Sequence, residues 1–200
     1  MEKVNLNKIK KLTGLKKIKT TVLISGRGSN LYNLIKFSKT KKSPILIDLI
    51  VSNKKNAIAL KYSKKYKIKK KILNYKNKKT AENNLFLILK KRKIKFICLA
   101  GFMKILSNSF IKKFKEKIIN IHPSFLPKYK GLNTSVRALN NNEKFSGCTV
   151  HYVTSKLDSG KIIMQKKIKI VKNETSLSLD KKILKQEHKL YPAAILKIFN

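Results

Sequence analysis

Apolar residues along the chain fall into short continuous runs that alternate with segments of helical spacing. The run "IKTTVLIS" (18–25) is rich in β-branched residues and is ended by "GRGSN". In "LYNLIKFSK" (31–39) the apolar residues stand at 31, 34, 35 and 37, the spacing of one helix face. A second buried strand is predicted over "PILIDLIVS" (44–52), a helix over "NAIALKYSKKY" (56–66) and a short third strand over "KKKIL" (69–73). The segment "TAENNLFLILKKRK" (80–93) predicts a helix with Thr80 as its N-cap, although Asn83 stands where a capping box carries an acid. A strand over "IKFICLAG" (94–101), a helix over "SNSFIKKFKEK" (107–117) capped by Ser107, and a strand over "IINIH" (118–122) follow.

Strands that are apolar on both faces and alternate with helices are the pattern of a parallel sheet covered on both sides. The expected fold is therefore α/β, a single domain built on an open, mostly parallel, doubly wound sheet. Beyond Pro127 the pattern changes. A short helix over 134–142 precedes two strands, 146–154 and 161–170, around "SKLDSG", and a closing helix is predicted over 176–200. No internal repeat and no linker divides residues 18–200, while residues 1–17 read as a basic N-terminal tail without the apolar core of a secretory signal.

Composition changes this picture in one respect. Lys and Arg number 49 against 9 Asp and Glu, a formal charge of +40. A polyanion partner is one reading. Only Arg27, Arg92 and Arg137 among the basic residues are Arg, however, and Lys is spread along the whole chain rather than gathered in a patch. Compositional drift towards Lys, Asn and Ile explains that better, so no specific nucleic-acid partner is expected. The longest apolar runs are about eight residues, too short to span a bilayer, which takes roughly 18 or more. Cys98 and Cys148 are isolated in apolar surroundings, which suits reduced core thiols in a cytoplasmic, reducing compartment. No Cys/His cluster has the spacing of a metal site, so no metal is expected.

Candidate chemistry lies in four stretches. Gly26 and Gly28 follow a strand and open a helix, where free N–H groups and the helix dipole favour an anion. Leu31 stands where a dinucleotide fingerprint needs its third glycine, and no Gly-Lys-Ser/Thr follows, so a single phosphate fits better than a dinucleotide. An ordinary glycine-dependent turn is the alternative. In "IINIHPSFLPKYKG" (118–131), Asn120 and His122 are two apart on a strand and share a face at its carboxyl end. An amide can donate to an oxyanion, and an imidazole can carry a proton near neutrality. Bonding to loop backbone is the alternative for both. Asp158, in the turn "LDSG", is placed to orient an imidazole and raise its pKa, or simply to make the turn. The stretch "CLAGFMKIL" (98–106) offers a backbone against which a flat apolar ligand could lie, or a core crossing. His151 reads as a structural histidine on a strand, with lining the site as the alternative, and Glu187 is a rare acid within "KQEHKLYP".

Taken together, "LISGRGSNL", "LAGFMKIL", "NIHPSFLPKYKG", "CTVHYVTSKLDSGKII" and "QEHKLYP" resemble the phosphoribosylglycinamide formyltransferases, folate-dependent enzymes of purine (IMP) biosynthesis, from about Lys19 onwards. The resemblance implies a catalytic trio of Asn120, His122 and Asp158. It implies that the phosphate and sugar of phosphoribosylglycinamide meet Gly28, Ser29, Asn30, Leu31 and Tyr32, with Gln186 and Glu187 on the sugar side. It implies that 10-formyltetrahydrofolate, the formyl donor, lies along Met103, Lys104, Ile105 and Leu106, with Asn120 beside it. The loop Thr154, Ser155, Lys156, Leu157 and Asp158 would cover its pterin. Lys78 stands where the family usually has an Arg on the folate, which keeps the charge but loses the planar fork. Asn133 and Ser135 replace histidines that relatives often carry. The resemblance also implies that His122 works in its protonated form, kept charged by Asp158, and that no metal takes part. It leaves the oligomeric state open. Methionyl-tRNA formyltransferase and formyltetrahydrofolate deformylase share the Asn, His and Asp chemistry and are the alternatives. The first carries a further C-terminal domain. The second carries a second His where Pro123 stands here.

Overall fold

The computed structural model describes residues 17–199, so the expected basic tail lies outside the described residues apart from Lys17. In chain order the elements are β1 (Ile18–Ile24), α1 (Ser29–Ser38), β2 (Ile45–Ser52), a 3₁₀ turn (Ile58–Leu60) leading into α2 (Lys61–Tyr66), and β3 (Lys69–Ile72). They continue with α3 (Lys78–Lys91), β4 (Phe96–Leu99), α4 (Asn108–Phe114), β5 (Lys117–His122), α5 (Thr134–Asn140), β6 (Phe145–Tyr152), β7 (Ile162–Lys169) and α6 (Ser176–Phe199). Among the described residues the strands form one sheet in the order β3-β2-β1-β4-β5-β6-β7. Pairing is parallel from β3 to β5, and antiparallel for β5 with β6 and β6 with β7.

The alternation of side chains along β1 explains the two layers. Val22 and Ile24 face Leu31, Leu34 and Ile35 of α1 and Leu179, Ile183 and Ile195 of α6. Leu23 points the other way, into a second cluster with Leu85 and Leu89 of α3 and Phe110 and Phe114 of α4. A strand apolar at consecutive positions therefore has a core on each side, as the continuous run predicts. The edge strand β3 is exposed at every position and reads Lys-Lys-Lys-Ile, a charged edge that discourages pairing with another chain.

Two local expectations are corrected. The N-cap of α3 is Asn77, whose side chain accepts from the Thr80 N–H, and Thr80 lies inside the helix. Asn77 is a good capping residue, and taking it adds an N-terminal turn at Lys78 and Lys79. The predicted 56–66 helix begins as the 3₁₀ turn, because the Ala59 N–H bonds to Gly26 O at 3.1 Å and holds the segment against the first glycine turn. Ser107 caps α4 as expected, its hydroxyl accepting from the Phe110 N–H at 3.1 Å. Cys98 and Cys148 are free and buried. Among the described residues no helix is long and apolar enough to cross a membrane.

Candidate active site

Strand order turns back between β1 and β4, and in open α/β sheets the crevice beyond such a switch point takes ligands. Two polar groups occupy this carboxyl edge. The first is the turn after β1. Gly28 is the N-cap of α1, at φ 80°. A Cβ there would lie 2.3 Å from the Ala59 Cβ, so only glycine lets α1 start this close to the 3₁₀ turn. Behind the turn the Asn30 amide donates to the Glu187 carboxylate at 2.7 Å, while the buried Asn30 Oδ1 has no partner among the described residues. Burial pushes the Glu187 carboxyl up to about 7, against the lowering effect of the Asn30 bond. Ser29 and Tyr32 lie on the same first turn, but Leu31 points into the core, so only its backbone is open to a ligand. Gln186 is half-buried beside Glu187 on α6.

The second group is centred on β5. Asn120 pairs across the sheet with His151 of β6, and His122 with Thr149. Asp158 reaches back from the loop after β6, at φ 43°. Its Oδ2 lies 3.3 Å from His122 Nδ1 and accepts from the Gly131 N–H at 2.9 Å. Its Oδ1 lies 3.5 Å from Asn120 Nδ2. The approach of Asp158 to His122, which the sequence could not reveal, is thus present. The loop returns through Gly160, where a Cβ would overlap Tyr152 O at 1.7 Å.

His151 belongs to this cluster and is not a bystander on its strand. Its Nδ1–H donates to Tyr152 O at 2.8 Å, which leaves Nε2 to accept from Asn120 Nδ2 at 3.3 Å. One hydrogen of Asn120 Nδ2 is thereby held by His151, while the other makes only the long 3.5 Å contact to Asp158 Oδ1 and is open to a ligand. The signal in the sequence was the register of His151 opposite Asn120, which becomes visible only once β5 and β6 pair.

His122 is 5% exposed, and its Nε2 lies 2.9 Å from Tyr129 O. Both ring nitrogens therefore face oxygen acceptors. Burial is the largest influence and pulls the His122 pKa below its ordinary value, against the raising effects of the Tyr129 carbonyl and of Asp158. Burial works against the expectation that Asp158 keeps this imidazole charged: desolvation outweighs the neighbouring carboxylate and favours the neutral ring. Burial pushes the Asp158 carboxyl upward as well, but the adjacent His151 imidazole, the Gly131 N–H bond and the nearby His122 outweigh it, and its pKa is lowered.

The loop 123–131 that carries Tyr129 and Gly131 is held from below. The Thr149 hydroxyl donates to Ser124 O at 2.7 Å and accepts from the Leu126 N–H at 3.1 Å. The Gln165 amide donates to Leu126 O at 2.8 Å, and the Thr134 hydroxyl donates to Pro123 O at 2.7 Å. The prolines are thus one part of a frame whose other part comes from β6, β7 and α5. Sequence reading missed Thr149 and Gln165, since nothing in their local pattern marks them.

The segment after β4 has Met103 57% and Ile105 49% exposed, with Lys104 exposed between them. Leu106 is 1% exposed and packs into the second core cluster, so a ligand there meets its backbone. Thr154 to Leu157, in the loop after β6, are exposed as well. Lys78 is exposed at the start of α3 and borders a hollow of about 360 Å³ that begins at Ser107.

An amide, an imidazole and a carboxylate thus meet at one strand end of an open α/β sheet, beside a helix start that favours an anion. The formyl transferase family profile matches residues 18–195. The chain is 36% identical over 180 residues to phosphoribosylglycinamide formyltransferase of Haemophilus influenzae, covering 88% of this chain and 85% of that protein. It is 39% identical over 183 residues to the human trifunctional purine biosynthetic protein adenosine-3, covering 90% of this chain but only 18% of that much longer relative. Among solved structures it matches phosphoribosylglycinamide formyltransferase from Bacillus halodurans with TM-score 0.87 and 32% identity, covering 91% of this chain and 95% of that one. The chain belongs to the formyl transferase family, on its phosphoribosylglycinamide formyltransferase branch.

Proposed function

We propose that this chain transfers the formyl group of 10-formyltetrahydrofolate to the amine of 5-phosphoribosylglycinamide, in purine biosynthesis. The observation that carries the reading is the joined Asn120, His122, His151 and Asp158 cluster at the end of β5. It faces the same sheet edge as the Gly28–Asn30 turn.

On this reading the N–H groups at the start of α1, with Ser29, take the substrate phosphate, and the buried Glu187 carboxylate accepts from sugar hydroxyls. Gln186 and Tyr32 border that side. Met103, Lys104, Ile105 and the backbone of Leu106 form one wall for the folate, and Thr154 to Leu157 cover the other. Lys78 meets an anionic end of the folate as a point charge. The donor supplies an electrophilic formyl carbon, which the glycinamide nitrogen attacks. Asn120 Nδ2–H donates to the oxygen that gains the π electron pair. Neutral His122 takes the proton that the attacking nitrogen loses, and the resulting imidazolium is stabilised by Asp158 and the Tyr129 carbonyl. His122 then gives that proton to the departing folate nitrogen as its bond to the formyl carbon breaks. His151 holds the other hydrogen of Asn120 Nδ2. Residues 18–200 act as one catalytic unit. The two buried thiols support a reducing, cytoplasmic setting, and the proposed partners are the two small-molecule substrates.

The test is to supply 10-formyltetrahydrofolate with phosphoribosylglycinamide, with charged initiator tRNA, or alone, and to follow tetrahydrofolate release. Release only with phosphoribosylglycinamide is expected. Release with no acceptor would make the chain a deformylase, and release only with tRNA would overturn the purine reading.

A further inference from the structure

Residues 103–105 are exposed, and little packing lies beneath them before Leu106 enters the core. Yet the segment has a defined path, because it is strung between two buried side chains from other elements. At its start is Ser25, 4% exposed, in the turn after β1. The Ser25 N–H donates to Gly101 O at 3.0 Å, extending the β1–β4 pairing. Its hydroxyl accepts from the Met103 N–H at 2.8 Å and donates to Asn53 Oδ1 at 2.5 Å. One hydroxyl thus laces together the ends of β1, β2 and β4, across the point where strand order turns.

At the other end is Glu82 of α3, 5% exposed. Its carboxylate accepts from the Ser107 N–H at 2.8 Å and from the Ser107 hydroxyl. Ser107 caps α4 at the same time through the Phe110 N–H. In a capping box the acid that binds the cap residue's N–H comes from the third position of the same helix. Here that position is Phe110, and the acid is supplied by another helix. The end of the segment is therefore fixed to α3 as firmly as α4 itself is capped.

We propose that Ser25 and Glu82 are positioning residues for the formyl-donor wall Met103–Leu106, setting its backbone path from the two ends without touching the Asn120 cluster. This rests on the reading of 103–106 as the folate-binding segment. Removing Ser25 leaves the Met103 N–H at one end of the wall without its acceptor, and removing Glu82 does the same to the Ser107 N–H just beyond the other end, so an exposed stretch is freed to sample other paths. The cost falls on donor binding, because the acceptor's turn, although it begins at Ser25, keeps the Ala59 N–H bond to Gly26 O and the Tyr32 N–H bond to Gly28 O, neither of which uses the Ser25 hydroxyl, and the Asn120 cluster is held by contacts of its own.

The experiment compares Ser25→Ala, Ser25→Thr, Glu82→Ala and Glu82→Gln with the wild type. Calorimetry measures the Kd of unreactive tetrahydrofolate and, separately, of phosphoribosylglycinamide; steady-state kinetics measures the donor KM and kcat. Both Ala variants are expected to weaken tetrahydrofolate and raise the donor KM about ten-fold, the loss of one hydrogen bond to a positioned group. Phosphoribosylglycinamide affinity and saturated kcat should stay within about two-fold, well below that ten-fold loss. Ser25→Thr keeps the hydroxyl and Glu82→Gln keeps an acceptor for the Ser107 N–H, so both should recover most donor affinity. If an Ala variant does not fold, Asn53→Ala, which removes only the acceptor of the Ser25 hydroxyl, should still raise the donor KM. An unchanged donor Kd in the folded variants, an equal loss for both ligands, or no recovery with the conservative variants overturns the inference. Wild-type protein that binds no tetrahydrofolate overturns it together with the functional reading beneath it.

Discussion

A neutral imidazole between two oxygen acceptors holds one proton and has room for a second, which is the situation of His122 between Tyr129 O and Asp158. Its pKa is pulled below 6.5 mainly by burial, so the base form persists into mildly acidic solution. On the proposed mechanism the acid limb of kcat/KM should therefore fall below pH 6.5, the ordinary histidine value. Asp158 raises the His122 pKa, so Asp158→Asn should move that limb lower still, and should reduce the plateau rate about a hundred-fold, as should His122→Ala. A pH–rate profile of the two variants beside the wild type checks both points. Glu187 behaves in the opposite sense. Its folded pKa is about 7 against an ordinary 4.5, so between those values the folded state binds more protons than the unfolded chain. Stability is full below the lower value and is lost as pH rises through the higher one, by about 3 kcal/mol in all. Glu187→Gln should remove most of that loss. Thermal unfolding should find the variant close to wild type in acid and more stable at about pH 8.

Elements act by where they deliver their ends. The β5 run alone carries Asn120 and His122 to a common face, but the third and fourth members of the cluster arrive by pairing with β6 and by the turn after it. The start of α1 shows how narrow the tolerance is. Gly28 combines φ 80° with a Cβ position 2.3 Å from Ala59 Cβ. Gly28→Ala should destabilise the protein by about 2–4 kcal/mol, the sum of a left-handed alanine and local overpacking. A lowered urea midpoint with an unchanged slope, together with weakened phosphoribosylglycinamide binding, is the expected result. Helix existence was legible from apolar spacing, and the Ser107 cap was legible from residue type. The α3 start was not, because Asn77 and Thr80 are both capping residues and only the Asn77 side chain reaches an open N–H.

The whole molecule carries a charge of +40, and the strands and helices form despite it because no Lys among the described residues is buried while both cores are apolar. Spread charge of this size attracts polyanions without specificity, and salt screens it. Retention on heparin should fall steeply as salt rises, while formyl transfer, which depends on the buried cluster, should change far less over the same range. The sequence by itself determined the layered α/β class, since continuous apolar strands need a core on each face. It also determined the strand-end placement of Asn120 and His122, since residues two apart on a strand share a face. Only the tertiary structure decided how the candidate site is assembled. His151 enters the cluster through cross-strand register. Asp158 reaches His122 across 36 residues of chain. Ser25 and Glu82 hold Met103–Leu106 from distant elements. The protonation of His122 turned on desolvation, a property of everything packed around the ring, which no local pattern of residues encodes.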